Sequence, residues 1–233
     1  DKRQDRVAEL KDRYGVDTAT NTEAAREADV VVLVVKPQDI FTVVEEIAAD
    51  LKPTALVVSL AAGVTTSSLE ALLPDGMPVV RVMPNTPALV DEGMSAVSPG
   101  AHCTPDHVAL AVRLMACVGK VVEVPEKMQD AVTAISGSGP AYIFYTVEAM
   151  IEAGVGLGLP RRLATELTLQ TVYGAATMLR ETGEHPVVLR ENVTSPAGTT
   201  AAALRVLEDH KVRAAFLSAL EAARNRSIEL AGG

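Results

Sequence analysis

The residues best suited to chemistry cluster at Ser136-Gly137-Ser138-Gly139-Pro140, inside the run Ala134–Tyr142. Glycine supplies backbone freedom, serine can cap a helix and proline is tolerated in a first helical turn, so the run reads as a hinge, a cap or a phosphate cradle. Neither serine is set in a Gly-x-Ser-x-Gly nucleophile elbow, because position 140 is proline. The histidines offer no metal pairing. His102 and His107 straddle a loop-to-helix start, His185 reads as a helix-start residue and His210 as a surface residue between helices. None has an evident carboxylate or cysteine partner for acid–base or nucleophilic work. Cys103 and Cys117 are too few for a disulfide framework, lack metal-ligand spacing and read as small buried apolar residues. No metal is expected. What remains is chemistry carried by a cofactor, with the protein supplying position and electrostatics.

The elements that would position a cofactor alternate along the first half. Val7, Leu10 and Tyr14 lie at helical spacing, with Gly15 as a stop. Val16–Thr20 reads as a short strand, and a helical turn follows from Asn21 to about Ala28. Val30–Val35 is an unbroken apolar run of the kind expected of a central strand buried on both faces. A helix over Ile40–Leu51 would turn Phe41, Val44, Ile47 and Leu51 inward. Strands are expected at Ala55–Leu60, Val79–Met83, Ser95–Val97 and Lys120–Val124, and helices at Thr65–Leu73 and Pro105–Val118. This alternation predicts a doubly wound parallel α/β sheet. Ligands on such sheets sit at the carboxyl ends of strands. The segments to examine are Val35-Lys36-Pro37, Leu60-Ala61-Ala62 and Pro84-Asn85-Thr86-Pro87, each equally readable as an ordinary turn.

From Tyr142 onward the pattern is helical. Pro160 begins a helix with Leu163, Leu167, Gly174 and Met178 along one stripe, and Glu184-His185-Pro186 starts a short one ending near Asn192. The loop Val193–Thr200 leads into Ala201–Leu207, and a last helix runs from about Lys211 to Leu230 with Phe216, Leu220 and Ala223 inward. Tyr142, Tyr145 and Met150 read as packing residues, against the chain's own core or against another subunit. The 233 residues suit one large domain or two modest ones. An apolar fraction of 48% against 22% charged marks a globular protein, and a net charge of −9 argues against a general nucleic-acid binder. No apolar run reaches the ~18 residues of a membrane span, and the charged opening Asp1–Arg6 is not a signal peptide.

A dinucleotide-binding sheet normally opens with a strand, a Gly-x-Gly-x-x-Gly turn and a helix. No such turn follows a strand here, and Gly154-Val155-Gly156-Leu157-Gly158 reads as a helix terminator. The expectation is that the first strand, its glycine turn and the second strand lie upstream of Asp1.

Six ordered blocks carry a resemblance: Val35-Lys36-Pro37, Ala61–Val64, Arg81–Pro87, Asp130–Val132 with Ser136–Tyr142, Gly158–Arg161, and Asn192–Thr200. Together they span essentially the whole chain, which resembles the pyrroline-5-carboxylate reductase family. The resemblance implies an NADPH- or NADH-dependent cytoplasmic enzyme that reduces 1-pyrroline-5-carboxylate to L-proline. Its architecture would be a Rossmann-type dinucleotide-binding domain, incomplete at its N-terminus, over residues 1–125, and an all-helical dimerisation and substrate-binding domain over 126–233. Competing readings are a related imine or β-hydroxyacid-type reductase of the same plan, although no lysine stands on the helix from Ser138, and a non-catalytic dimeric scaffold.

Residue by residue, the resemblance places cofactor contacts on Asn21, Val35, Lys36, Pro37, Leu60, Ala61, Ala62 and Glu126. Substrate contacts fall on Asn192, Gly198, Thr199 and Thr200, with Thr200 as the catalytic candidate through a hydrogen bond to the ring nitrogen. Plain alternatives stay open: a helix cap for Asn21, a strand-end lysine for Lys36, a helix N-terminal carboxylate for Glu126 and an N-cap of helix 201–207 for Thr200. Lys2 and Arg3 are further candidates for meeting a 2′-phosphate. The family's substrate loop completes a neighbouring subunit's pocket, so a homo-oligomer of at least two chains is implied.

Overall fold

The computed structural model describes Asp1 and residues 3–231, so the suggestion made for Lys2 lies outside the described residues. The chain divides into two compact units, residues 1–137 together with the chain from Asn225, and Ser138–Arg224.

The first unit is built on a five-stranded sheet in the order β1 (Val30–Leu33), β2 (Leu56–Ser59), β3 (Val79–Met83), β4 (Gly93–Pro99) and β5 (Gly119–Glu123). β1, β2 and β3 are parallel, β4 runs antiparallel to β3, and β5 is parallel to β4. The sheet is thus mixed, where a parallel one was expected. The reason is the link from Met83 to Gly93, a single 3₁₀ turn over Thr86–Val90. A parallel crossover needs a dozen or more residues, roughly, and usually a helix.

Side chains alternate across the sheet and are covered on both faces. Val57 and Val79 pack with Ala25 of α2 (Asn21–Glu27), with Ile40, Val44 and Ile47 of α3 (Pro37–Ile47), and with Leu69 of α4 (Thr66–Glu70). Leu56, Val58, Val80, Val82 and Val97 face the other way, against Val108, Ala111 and Met115 of α5 (Pro105–Ala116). All four β2 residues are buried. Each such Val or Leu contributes about 1.5–3 kcal/mol relative to exposure.

Several expectations are corrected. Among the described residues β1 pairs with β2 alone, and Val32 is 45% exposed. Among the described residues Val16–Thr20 forms no strand; the segment is exposed and ends at Thr20, the N-cap of α2. On α3 the buried residues are Ile40, Val43, Val44 and Ile47, whereas Phe41 is exposed. Cys117, at the C-terminal end of α5, is exposed rather than buried.

The second unit holds α7 (Gly139–Gly156), α8 (Arg161–Thr182), α9 (Pro186–Asn192), α10 (Thr199–Asp209) and the start of α11 (Val212–Ala231), whose last turns belong to the first unit. α1 (Gln4–Tyr14) and α6 (Gln129–Val132) belong to the first unit. α7 ends at Gly156, and Gly158, at φ 95°, turns the chain into α8 as a terminator should. The apolar stripes are not an intrachain core. No residue of α7, α9 or α10 is buried, Tyr145 is 75% exposed, and Leu163, Leu167, Met178 and Phe216 are all exposed. No helix among the described residues is long and apolar enough to cross a membrane.

The burial pattern of α3 sets one expectation. Ile40→Ala should destabilise by about 2–5 kcal/mol in urea unfolding, and Phe41→Ala by less than about 1 kcal/mol. Equal losses would mean that the helix is rotated from the face described.

Candidate functional site

Because β1, β2 and β3 are parallel, their carboxyl ends emerge side by side. Leu33 lies opposite Ser59 and Ser59 opposite Arg81, and the ladder continues with Leu60 N–H donating to the Leu33 carbonyl at 3.1 Å. The three post-strand segments therefore share one edge of the sheet.

A groove of about 1100 Å³ beside β1 is lined by Asn21, Val31, Leu33, Val35 and Lys36. It brings together the candidates Asn21, Val35 and Lys36. Lys36 is exposed at the N-cap position of α3, makes no side-chain cap and has no ion pair among the described residues. Pro37 follows as the first residue of that helix. Asn21 is not the cap of α2. Thr20 is, in a capping box with Glu23, which leaves the Asn21 amide free to donate to Glu46 Oε2 at 2.9 Å. The two bonds from Thr20 hold the Glu23 carboxyl below its ordinary range.

Ala61 is buried and Leu60 and Ala62 are half-buried, and the chain turns at Gly63 with φ 75°. Two alanines followed by glycine put backbone, not side chain, next to anything at the sheet edge. Small residues at the end of β2 leave room beside the backbone, and Lys36 is an exposed cation at the end of β1. No Gly-x-Gly-x-x-Gly cradle is present in the chain.

Glu126 opens a short 3₁₀ turn, Glu126–Met128, and is no ordinary helix-end carboxylate. Its Oε1 accepts from Thr66 N–H at 2.8 Å and its Oε2 from the Thr66 hydroxyl at 2.7 Å, while Arg81 Nη1 lies 3.4 Å from Oε1. Three residues on, buried Gln129 donates from Nε2 to the Ala96 carbonyl and to Ser98 Oγ, bolting the connector to β4.

The serine–glycine seam is helical as far as Gly137. α6 passes into a π-helical turn over Thr133–Gly137 and then into α7. Ser138 occupies the N-cap position of α7 in helical backbone and makes no side-chain cap, contrary to expectation. Ser136 Oγ donates to the Val132 carbonyl, the back-bonding that ties a hydroxyl to its own helix. Asn85, at the end of β3, bridges outward. Its Oδ1 accepts from Met94 N–H at 2.8 Å and its Nδ2 donates to the Ser136 carbonyl at 3.1 Å. π turns recur at functional sites, and here one is pinned to the sheet edge where ligands bind.

In the second unit, Asn192 ends α9 and Gly198, Thr199 and Thr200 begin α10. The N-cap is Gly198, so Thr200 is not one, and no side chain caps the helix. The hydroxyls of Thr199 and Thr200 have no hydrogen-bond partner among the described residues. A Cβ at position 198 would meet the Ser195 hydroxyl and stand 3.1 Å from the Ser195 carbonyl oxygen, so the tight turn favours glycine. An uncapped helix start presents free N–H groups and the positive end of the helix dipole to an anion.

Thr66, Arg81 and Gln129 were not singled out from the sequence as single residues. Their signal is a pairing across 60, 45 and 31 positions respectively, which no local pattern carries.

Comparison with known proteins places this geometry. Residues 126–230 match a family profile described as pyrroline-5-carboxylate reductase dimerisation, and residues 1–63 match one described as NADP oxidoreductase coenzyme F420-dependent. A pyrroline-5-carboxylate reductase of Corynebacterium melassecola is 50% identical over 231 residues, 97% of this chain and 86% of that protein. This chain belongs to the pyrroline-5-carboxylate reductase family. The solved reductase of Coxiella burnetii superposes with a TM-score of 0.91 at 45% identity, over 99% of this chain and 86% of that one. The Plasmodium falciparum enzyme, solved with NADP bound, gives 0.87 at 34% identity over 92% and 81%.

Two outcomes are expected of the reductase's own side chains. Asn85→Ala leaves the Ser136 carbonyl and Met94 N–H without their partner and should lower stability by about 1–3 kcal/mol in urea unfolding. Burial pushes the Cys103 thiol up. Its thiolate therefore forms only above the usual thiol range, and iodoacetamide at pH 8 should modify exposed Cys117 well before Cys103. Faster labelling of Cys103 would contradict the packing against Val79.

Proposed function

We propose that the protein is an oxidoreductase that reduces 1-pyrroline-5-carboxylate to L-proline with NADPH or NADH, the last step of proline biosynthesis. The observation that carries the reading is the uncapped start of α10, with the unengaged hydroxyl of Thr200, in a chain half identical to a reductase of that name. When bound, the nicotinamide supplies from C4 the hydride that reduces the carbon of the C=N bond, the nitrogen ending protonated.

The chain's own residues bind and orient. The backbone N–H groups at Thr199 and Thr200, freed by the Gly198 turn, hold the substrate carboxylate, and Asn192 closes the other end of the loop. The Thr200 hydroxyl hydrogen-bonds the ring nitrogen and fixes which face of the ring meets the donor. Val35, Pro37, Leu60, Ala61 and Ala62 form the wall on the sheet side, with Lys36 and Asn21 further along the β1 groove and Glu126 behind the Ala61 turn. Holding two reactants in near-attack geometry lowers the barrier substantially without a dedicated acid.

The working division is residues 1–125 for the cofactor and 126–233 for self-association and substrate, supported by the profile that begins at residue 126. Self-association is supported as well by α7, whose apolar residues have no cover within the chain. A reducing cytoplasm suits the two free cysteines, one of them exposed.

NADPH oxidation should depend on 1-pyrroline-5-carboxylate and not on open-chain 2-oxo or 3-hydroxy acids; turnover of the latter alone would overturn the reading. Thr200→Ala should lower kcat/KM for the imine by about tenfold or more, the loss of one well-placed hydrogen bond, with NADPH affinity nearly intact. Equal loss of both would remove Thr200 from the substrate.

A further inference from the structure

We infer that Thr66 and Arg81 are positioning residues for the cofactor turn Ala61–Thr65, acting through Glu126. The inference rests on the reductase reading for what the turn binds, and on the hydrogen bonds for how the turn is held. The resemblance assigns Glu126 to the cofactor. The geometry gives its carboxylate three protein donors instead: Thr66 N–H at 2.8 Å, Thr66 Oγ1–H at 2.7 Å and Arg81 Nη1 at 3.4 Å.

Both partners are buried, Thr66 4% and Arg81 3% exposed, while the Glu126 carboxylate they hold is 26% exposed, so the bonds are partly shielded from water. Bonds to a carboxylate are about twice as strong as neutral ones. Arg81 lies opposite Ser59 on one side and Ser98 on the other, in the middle of the sheet. It has no other carboxylate partner among the described residues. Removing Glu126 would strand a buried charge.

The clasp closes a loop. Leu60–Thr65 leaves β2, which the sheet fixes, and enters α4 at Thr66, which Glu126 fixes. Between those anchors Ala61 and Val64 pack into the core and Thr65 caps α4, so the segment is fixed to β2 and α4, and its tie to the connector is the one that Glu126 makes at Thr66. The carboxylate therefore sets where the small-residue turn lies against the connector that begins at Glu126. It reaches the cofactor through the position of that turn rather than by contact.

The test compares Thr66→Val, which keeps shape and the N–H but loses the hydroxyl, with Glu126→Gln, the double variant, and Thr66→Ser. NADPH affinity is read by fluorescence titration, alongside KM for NADPH and for the imine and the urea midpoint. Each of the first two should weaken NADPH by about tenfold, equivalent to ~1.4 kcal/mol. The double variant should be little worse than either single, because the two changes break one clasp. Thr66→Ser should restore wild-type affinity, and KM for the imine should hold. If Thr66→Val binds NADPH like wild type while Glu126→Gln does not, Glu126 contacts the cofactor directly and the inference fails. If midpoints fall and NADPH affinity stays, the clasp is only structural and the inference fails too. A wild-type protein that binds NADPH but leaves 1-pyrroline-5-carboxylate unreduced would overturn the reductase reading and leave the clasp standing. One that binds no NADPH would overturn both.

Discussion

The parallel pairing of β2 with β1 and β3 is the constraint on which the first unit depends. β2 is buried at every position, its ladder partners are fixed residue by residue, and both of its faces carry apolar cover. Parallel strands end on the same side. Once that register is set, Val35–Pro37, Leu60–Ala62 and Pro84–Pro87 must share an edge, whatever their own preferences. The site is a consequence of strand direction before it is a consequence of any side chain. The reversal at β4 does not disturb this, because it begins after the Pro84–Pro87 turn.

The helical unit is governed by the opposite condition, apolar surface that its own chain leaves open. α7 carries Ile143, Phe144 and Tyr145 in succession, and all three are exposed. Helices gain most of their stability from packing an apolar face, and an 18-residue helix with none of its residues buried lacks that source within the chain. Exposed contiguous apolar surface on this scale marks an interaction site. The match of residues 126–230 to a dimerisation profile fits a face designed to be shared between copies.

What could be read from the sequence follows from how local each signal is. The buried strands were legible because β-branched runs between turn residues have few other uses, and β3 was placed to the residue at Val79–Met83. The start of α5 was legible at Pro105, which the structure makes its first residue. Strand direction was not, since it depends on what a turn of a few residues can close. Phe41 was misplaced for a related reason: Ile40 and Phe41 are adjacent apolar residues, and only the sheet decides which is turned inward. In the site, small-residue turns and the Thr199-Thr200 helix start could be pointed to. The partners of Glu126 and Asn85 could not, because both are pairings across dozens of residues.

Those two pairings argue that the connector, residues 126–137, is part of the sheet rather than a tether. Glu126 fastens its first residue to α4 and β3, Gln129 fastens its next turn to β4, and Asn85 fastens Ser136 near its end. Asp130 adds a fourth point, accepting from Ser227 Oγ at 2.7 Å where the last turns of α11 return to this unit. A flexible hinge would need none of these. A rigid segment that must carry a π turn at a fixed height along the strand ends would need all of them, since a π turn is held against the ordinary helix only where surrounding bonds over-determine it. Gly137 therefore serves close packing: a Cβ there would stand 2.5 Å from Met83 Cε at the end of β3. Its lack of a side chain lets the π turn approach the end of β3.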